Sequence, residues 1–269
     1  MQFIEKIHNW TMLEPTKYGW FHIIFLLLTI VVTTLLIIYF RDCKEKTMKK
    51  IVLFTWIGLV FFGILKELIV SYNGETLKYN WGSFPFQFCE TPLYIYPILI
   101  LNKNKKFQNI LITYLATFAF FAGLVIMINP VTVFTSSIFF NIRTMVQHGS
   151  QVVLGLFLFS WNRKNASLKN FLYSSIIFLV VVLVAISINS TVGYVVNDEV
   201  NMFYLSSRYN SVIWFVKDIQ PYVPWIIFVL SYVVGFSACA LATYYVEVGV
   251  YKLATRIQPN DEKELDYKN

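Results

Sequence analysis

At 269 residues, 57% of them hydrophobic and 14% charged, the chain is far too apolar for a soluble domain, where about a quarter of residues carry charge. The apolar residues gather in long runs, the pattern of a protein that crosses a bilayer several times. The net charge of +7 sits mostly in short loops between those runs, so it reports membrane orientation and is not a nucleic-acid-binding signature.

Seven spans are expected, over 20–40, 51–70, 86–101, 109–128, 138–160, 170–189 and 222–246. Met1–Gly19 is polar and mixed, and the run after it is too long for the apolar part of a cleaved signal, so it is expected to stay as a span. Cations cluster after alternate spans: Arg41 to Lys50, Lys103 to Lys106, Arg163 to Lys169, and Lys252 to Lys268. The other loops are poor in Lys and Arg, which places the N-terminus outside and the C-terminus inside. The chain is therefore expected to be a single all-α integral membrane domain over 1–269, a polytopic helical bundle with a disordered charged tail over 258–269. The three cysteines, Cys43, Cys89 and Cys239, have no evident pairing. The long outer loop Ser190–Tyr222 reads either as a lid or folded interfacial segment, or as a mobile connector.

The third span is the unusual one. Ser83-Phe84-Pro85-Phe86-Gln87-Phe88-Cys89-Glu90-Thr91-Pro92 puts a thiol beside a carboxylate at membrane depth, and Pro97 follows. Pro92 cannot bond the carbonyl of Phe88, nor Pro97 that of Leu93. Freed carbonyls need other partners in lipid, and a helix bent beside Cys89 is expected. The same outer side collects His22, read as interfacial, Lys66 and Glu67, whose side chains point about 100° apart and need not pair, and Asn189. Arg143, Gln147 and Gln151 recur every fourth residue as one stripe on the fifth span, with His148 beside them. At ~1.5 Å per residue, Cys89 lies about 5–8 Å and His148 about 12–16 Å inside their helices. The inner halves of the spans look almost free of ionisable groups. Charged groups at such depth face a bundle or wet cavity, so a polar cavity open to the outside is expected.

A thiol in an apolar site is mostly protonated, and an adjacent His can take its proton. The thiolate can hold an acyl group as a thioester, and the protonated His can return its proton to the departing alcohol. A second alcohol then gives acyl transfer, and water gives hydrolysis. No metal-ligand spacing such as HExxH is present, and no cofactor or metal is expected. Hydrogen bonding between helices explains the polar stripe equally well.

Phe84-Pro85-Phe86-Gln87-Phe88-Cys89 resembles the LPLHLC signature of the YwaF-like bacterial integral membrane proteins. Asn201-Met202-Phe203-Tyr204-Leu205 resembles their NYMFL segment, and His148 stands where they have a histidine. Gln87 replaces their His, and Met202 their Tyr. Those proteins are similar to the transmembrane protein 164 family, described as phospholipid acyltransferases that act through a Cys and a His. The resemblance implies a multi-pass protein of a bacterial cell membrane with membrane phospholipids as acyl donor or acceptor. It implies Cys89 as nucleophile and His148 as base. Glu90, Arg143, Gln147, Gln151, Lys66, Glu67 and Asn201 are the supporting candidates. Two alternatives stay open: a lipid-ester hydrolase of similar architecture, and a transporter or small-molecule-binding protein.

Overall fold

The computed structural model describes residues 2–196, 198–213 and 216–257, without the side chains of 254–257. The expected disordered tail, 258–269, lies outside the described residues. The regular structure is helical throughout, at 76% helix with no strand among the described residues. The helices are α1 (Gln2–His8), α2 (Trp20–Phe40), α3 (Glu45–Val70), α4 (Pro92–Leu101), α5 (Lys105–Tyr114), α6 (Phe120–Ile128), α7 (Ile138–Asn162), α8 (Leu168–Val195) and α9 (Trp225–Ile257). A π-helical turn, Leu115–Ala119, joins α5 to α6 without a break.

Five helices among the described residues are long and apolar enough to cross a membrane: α2, α3, the α5–α6 rod over Lys105–Ile128, α8 and α9. The other two expected spans differ from these in different ways. α7 has 25 residues, but its apolar run is broken by Asn141, Arg143, Gln147, His148 and Gln151. α4 has only ten residues, about 15 Å of helix, half of a hydrocarbon core about 30 Å thick.

The α5–α6 rod and α7 form the centre, with α2, α3, α8 and α9 around them. Burial follows this order: 72% of the α5–α6 window is enclosed, against 6% of α2 and 17% of α3. The outward faces of the surrounding helices are apolar, as with Leu27, Ile30 and Ile38 on α2 and Leu230 and Val234 on α9. A polar centre inside an apolar surround suits lipid as the solvent. α2 approaches α7 closely at Gly149, where an added Cβ would stand 2.9 Å from Thr29 Oγ1. On the other flank Phe88, Phe118, Phe178 and Phe236 interlock, with the Phe118 and Phe178 rings 4.8 Å apart.

The prolines shape α4 differently from the expectation. The helix is not bent beside Cys89; it begins after it. Pro92 takes the first helical position, where its missing N–H is no loss. Cys89 lies on the 3-10 turn Phe88–Glu90 that precedes α4, so the depth counted along a helix from residue 86 does not apply. The Phe88 carbonyl accepts from Thr91 N at 3.3 Å and Thr91 Oγ1 at 2.9 Å. The Leu93 carbonyl, freed by Pro97, accepts the indole N–H of Trp56 at 2.8 Å. Both carbonyls are thus satisfied from within the protein, as burial in lipid requires.

Candidate functional site

The site is built on the turn Gln87–Thr91. Proline at both flanks, Pro85 and Pro92, keeps this stretch from continuing as helix. Glu90 points inward, 3% exposed, and its Oε2 accepts from Gln87 N at 3.1 Å. Its Oε1 pairs with Arg143 Nη2 at 2.6 Å and Lys66 Nζ at 3.3 Å. Lys66 also meets Glu67 Oε1 at 2.9 Å and donates to Ser83 O at 2.5 Å. Glu67 Oε2 in turn accepts from Ser83 Oγ at 2.8 Å. The expected independence of Lys66 and Glu67 fails because both long side chains swing to the same loop. Two cations and two carboxylates cancel, which makes the cluster tolerable at low dielectric.

The stripe on α7 converges on the same turn. Arg143 takes Glu90. Gln147 Nε2 donates to the Cys89 carbonyl at 2.9 Å, and Gln151 Nε2 donates to the same oxygen. Four-residue spacing puts all three on one helix face, and that face is registered against the Cys89 turn. Thr91 Oγ1, two residues on, lies 2.9 Å from the Tyr114 hydroxyl. Arg143 Nε and Gln151 Oε1 are buried and have no hydrogen-bond partner among the described residues.

Cys89 itself is half-buried and not in a disulfide. Its backbone is held on several sides, whereas no hydrogen bond to its sulfur occurs among the described residues. His148 is buried, and its Nδ1 lies 2.8 Å from the Thr144 carbonyl. A carbonyl only accepts, so Nδ1 carries the proton and Nε2 keeps its lone pair. The structure contains no hydrogen bond between the Cys89 thiol and this imidazole. Nor do Glu90, Arg143 or Gln147 orient His148; the Thr144 carbonyl does. That partner is a backbone atom one turn back, and residue identity carries no signal for it.

The loop after α8 closes over the turn. Gln87 clamps it with both ends of its amide: Nε2 donates to Asn201 O at 3.0 Å, and Oε1 accepts from Phe203 N at 2.9 Å. Asn189 adds a second clamp, donating to Met202 O at 3.0 Å and accepting from Met202 N at 2.7 Å. Asn201 contributes structurally, its side chain bonding Ser206 N and Asn210 O within the loop. Phe203 is fully buried between Phe86 and Phe88. Phe203 and Tyr204 both have φ of 56°, a conformation costly for aromatic residues and sustained only by surrounding structure. The loop is thus a folded plug and not a free connector. Gln87→Ala should release it: limited proteolysis should cut within 198–213 about thirtyfold faster than in wild type, each of the two lost hydrogen bonds being worth about 1 kcal/mol.

Two further expectations change. His22, read as interfacial, is fully buried within the protein near the start of α2, with Nδ1 accepting from Tyr18 N at 3.0 Å and Nε2 donating to Met127 O at 2.7 Å. Nε2 thus joins α2 to α6, while Nδ1 ties the segment before α2 to its first turn. At the far end of the bundle, α9 runs past the expected boundary and buries Glu247, 6% exposed, with both carboxylate oxygens lacking hydrogen-bond partners among the described residues. That end of the bundle therefore holds a buried carboxylate, just past the expected span. There too, Asp42 pairs with Arg163 at 2.6 Å. Partial burial raises its carboxyl, but the Arg163 hydrogen bond and charge, with help from Arg41, outweigh that and hold it below the usual carboxylate range. No group of three or more His, Cys, Asp or Glu side chains gathers as a metal site among the described residues.

A model of the TMEM164 family matches residues 17–243. The chain belongs to the TMEM164 family. The match takes in the Cys89 turn, the α7 stripe and the 201–205 plug, and stops short of Glu247. No curated protein and no solved structure matches the chain. Within this TMEM164-family chain, the matched region thus includes the cluster in which Glu90, Lys66, Arg143, Gln147 and Gln151 meet at the Cys89 turn.

Proposed function

We propose that this protein is a membrane lipid acyltransferase in which Cys89 carries the acyl chain and His148 moves the proton. One observation carries the reading. The helix that holds His148, with its Nε2 lone pair free, also grips the Cys89 carbonyl through Gln147 and Gln151. The thiol is the group left without a hydrogen bond on a turn otherwise tied down. When substrate brings the two together, to about 3 Å, Nε2 takes the Sγ proton. The thiolate adds to an ester carbonyl of a phospholipid. The alcohol leaves with the proton from His148, and a thioester remains. A second lipid alcohol gives its proton to Nε2 and attacks the thioester, and the proton then returns to Sγ. Arg143 Nε, buried and unpaired, is the donor left for a lipid phosphate or ester oxygen.

On the seven-span reading, α7 and the short apolar segment Phe88–Leu101 join the five long apolar helices, and the N-terminus and the Cys89 turn then lie on the outer side. Acyl-CoA is confined to the cytoplasm, so the donor is a phospholipid and the reaction is CoA-independent. A requirement for acyl-CoA by the purified protein contradicts this part of the reading.

Intact-protein mass spectrometry from native membrane tests the chemistry. Wild type is expected to carry a fatty-acyl mass that neutral hydroxylamine removes, and Cys89→Ala is expected to lack it. His148→Ala should form the adduct at least about a hundredfold more slowly, the usual weight of a general base. Absence of any adduct with phospholipid supplied argues against covalent catalysis. Release of free fatty acid in place of a transferred chain assigns hydrolysis. Glu247 favours a second reading, a transporter, because an unpaired carboxylate buried near the opposite end is a feature of ion and substrate paths. In that case Cys89→Ser keeps full function and Glu247→Gln abolishes it.

A further inference from the structure

Some 20 residues along α3 from Lys66, about 30 Å away, a second feature lies at the opposite end of the bundle. A groove of about 460 Å³ opens between the start of α3 and the end of α4, lined by Glu45, Lys46, Lys49, Lys50, Leu53 and Ile100. Its charges are unevenly spent. Glu45 is fully engaged: Oε1 meets Lys49 Nζ at 3.0 Å and Gln108 Nε2 at 2.9 Å, and Oε2 meets Lys105. Lys49 also donates to Asn102 O at 2.6 Å, which holds α3 to the α4–α5 turn. Lys46 and Lys50 have no ion-pair partner among the described residues. They stand one turn apart on the same face of α3, exposed at the mouth of the groove. Leu53 follows on that face, half-buried, and Ile100 of α4 stands across from it.

We infer that this groove is a binding site for an anionic phospholipid, its phosphate held between Lys46 and Lys50 and an acyl chain laid along Leu53 and Ile100. The order of the lining is that of an amphiphile lying along a membrane helix: two uncompensated cations at the end of the span, then an apolar wall one turn deeper. A free anion would use the lysines alone and leave the apolar wall bare. Basic pockets between membrane helices attract lipid headgroups in this way, and each lysine adds to the preference for anionic over zwitterionic lipid. The site is independent of the chemistry assigned to Cys89, so either can fail without the other.

Native mass spectrometry of the full-length protein in detergent, with dioleoyl phosphatidylglycerol or dioleoyl phosphatidylcholine added, tests this. Wild type is expected to retain phosphatidylglycerol in preference to phosphatidylcholine. Lys46→Gln/Lys50→Gln should weaken phosphatidylglycerol retention at least about tenfold, while Lys103→Gln/Lys106→Gln, on the same side but outside the groove, keeps it. Unchanged retention in the first double variant, or equal loss in both, overturns the site. Displacement of the lipid by equimolar glycerol 3-phosphate also overturns it, because the groove would then recognise a free phosphate and not a lipid.

Discussion

Arg143→Ala is expected to destabilise the protein by about 3–5 kcal/mol, since it leaves the Glu90 carboxylate buried with its shortest partner gone. In detergent this should appear as a fall of roughly 10 °C in apparent Tm. Lys66 does not rescue the carboxylate, being farther away, at 3.3 Å, and shared with Glu67 and Ser83. Adding Glu90→Gln should recover part of the loss, because an amide in that position no longer carries a buried charge while its oxygen still accepts from Gln87 N. A double variant as unstable as the single one would mean that Arg143 acts by filling space and not by charge. The same substitution separates stability from chemistry. If acyl transfer falls further than the folded fraction does, Arg143 also touches substrate.

If Cys89 and His148 act as proposed, Gly123→Ala is expected to lower acyl-adduct formation by about a hundredfold with a smaller loss of stability. A Cβ at Gly123 would stand 2.6 Å from Gln151 Cβ and 2.7 Å from the His148 carbonyl. Neither can yield as the far end of a flexible side chain does, so α6 and α7 must separate. That movement carries off the Gln151 amide holding the Cys89 carbonyl and shifts His148 with it. A displacement of about 1 Å at a reacting pair is enough for a loss of that size, while overpacking of this kind costs about 1–3 kcal/mol in stability. Gly58, on the open face of α3, is the control, because an added Cβ there meets nothing within 4 Å. Equal activity in Gly58→Ala and Gly123→Ala would show that the α6–α7 spacing does not set the site.

Much of the architecture is local and therefore legible in the chain. An apolar run in lipid must satisfy its own backbone, and the helix is the structure that does so within one segment. The runs of α2, α3, α8 and α9 could hardly be anything else. The four-residue spacing of Arg143, Gln147 and Gln151 likewise fixes one face of α7 before any partner is known. Prolines 92 and 97 mark where helical bonding is interrupted, and counting donors and acceptors shows which carbonyls need help.

What meets those groups is decided only by tertiary packing. Leu93 O finds Trp56, 37 residues away, and Cys89 O finds Gln147, 58 residues away. Such pairings depend on how one helix is registered against another, which no local period encodes. Sequence spacing alone made Lys66 and Glu67 diverge and left His22 at the surface; in the fold, loop 80–83 draws the first two together, and Met127 takes the histidine inside. The 201–205 segment is buried because Gln87 and Asn189 satisfy its backbone, and a loop with its polar groups satisfied can leave water. The chain determined which residues could build a polar site inside an apolar bundle. The packing of α7 against the Cys89 turn decided which of them meet there, because a hydrogen bond needs both partners within about 3 Å, and only the folded chain brings them that close.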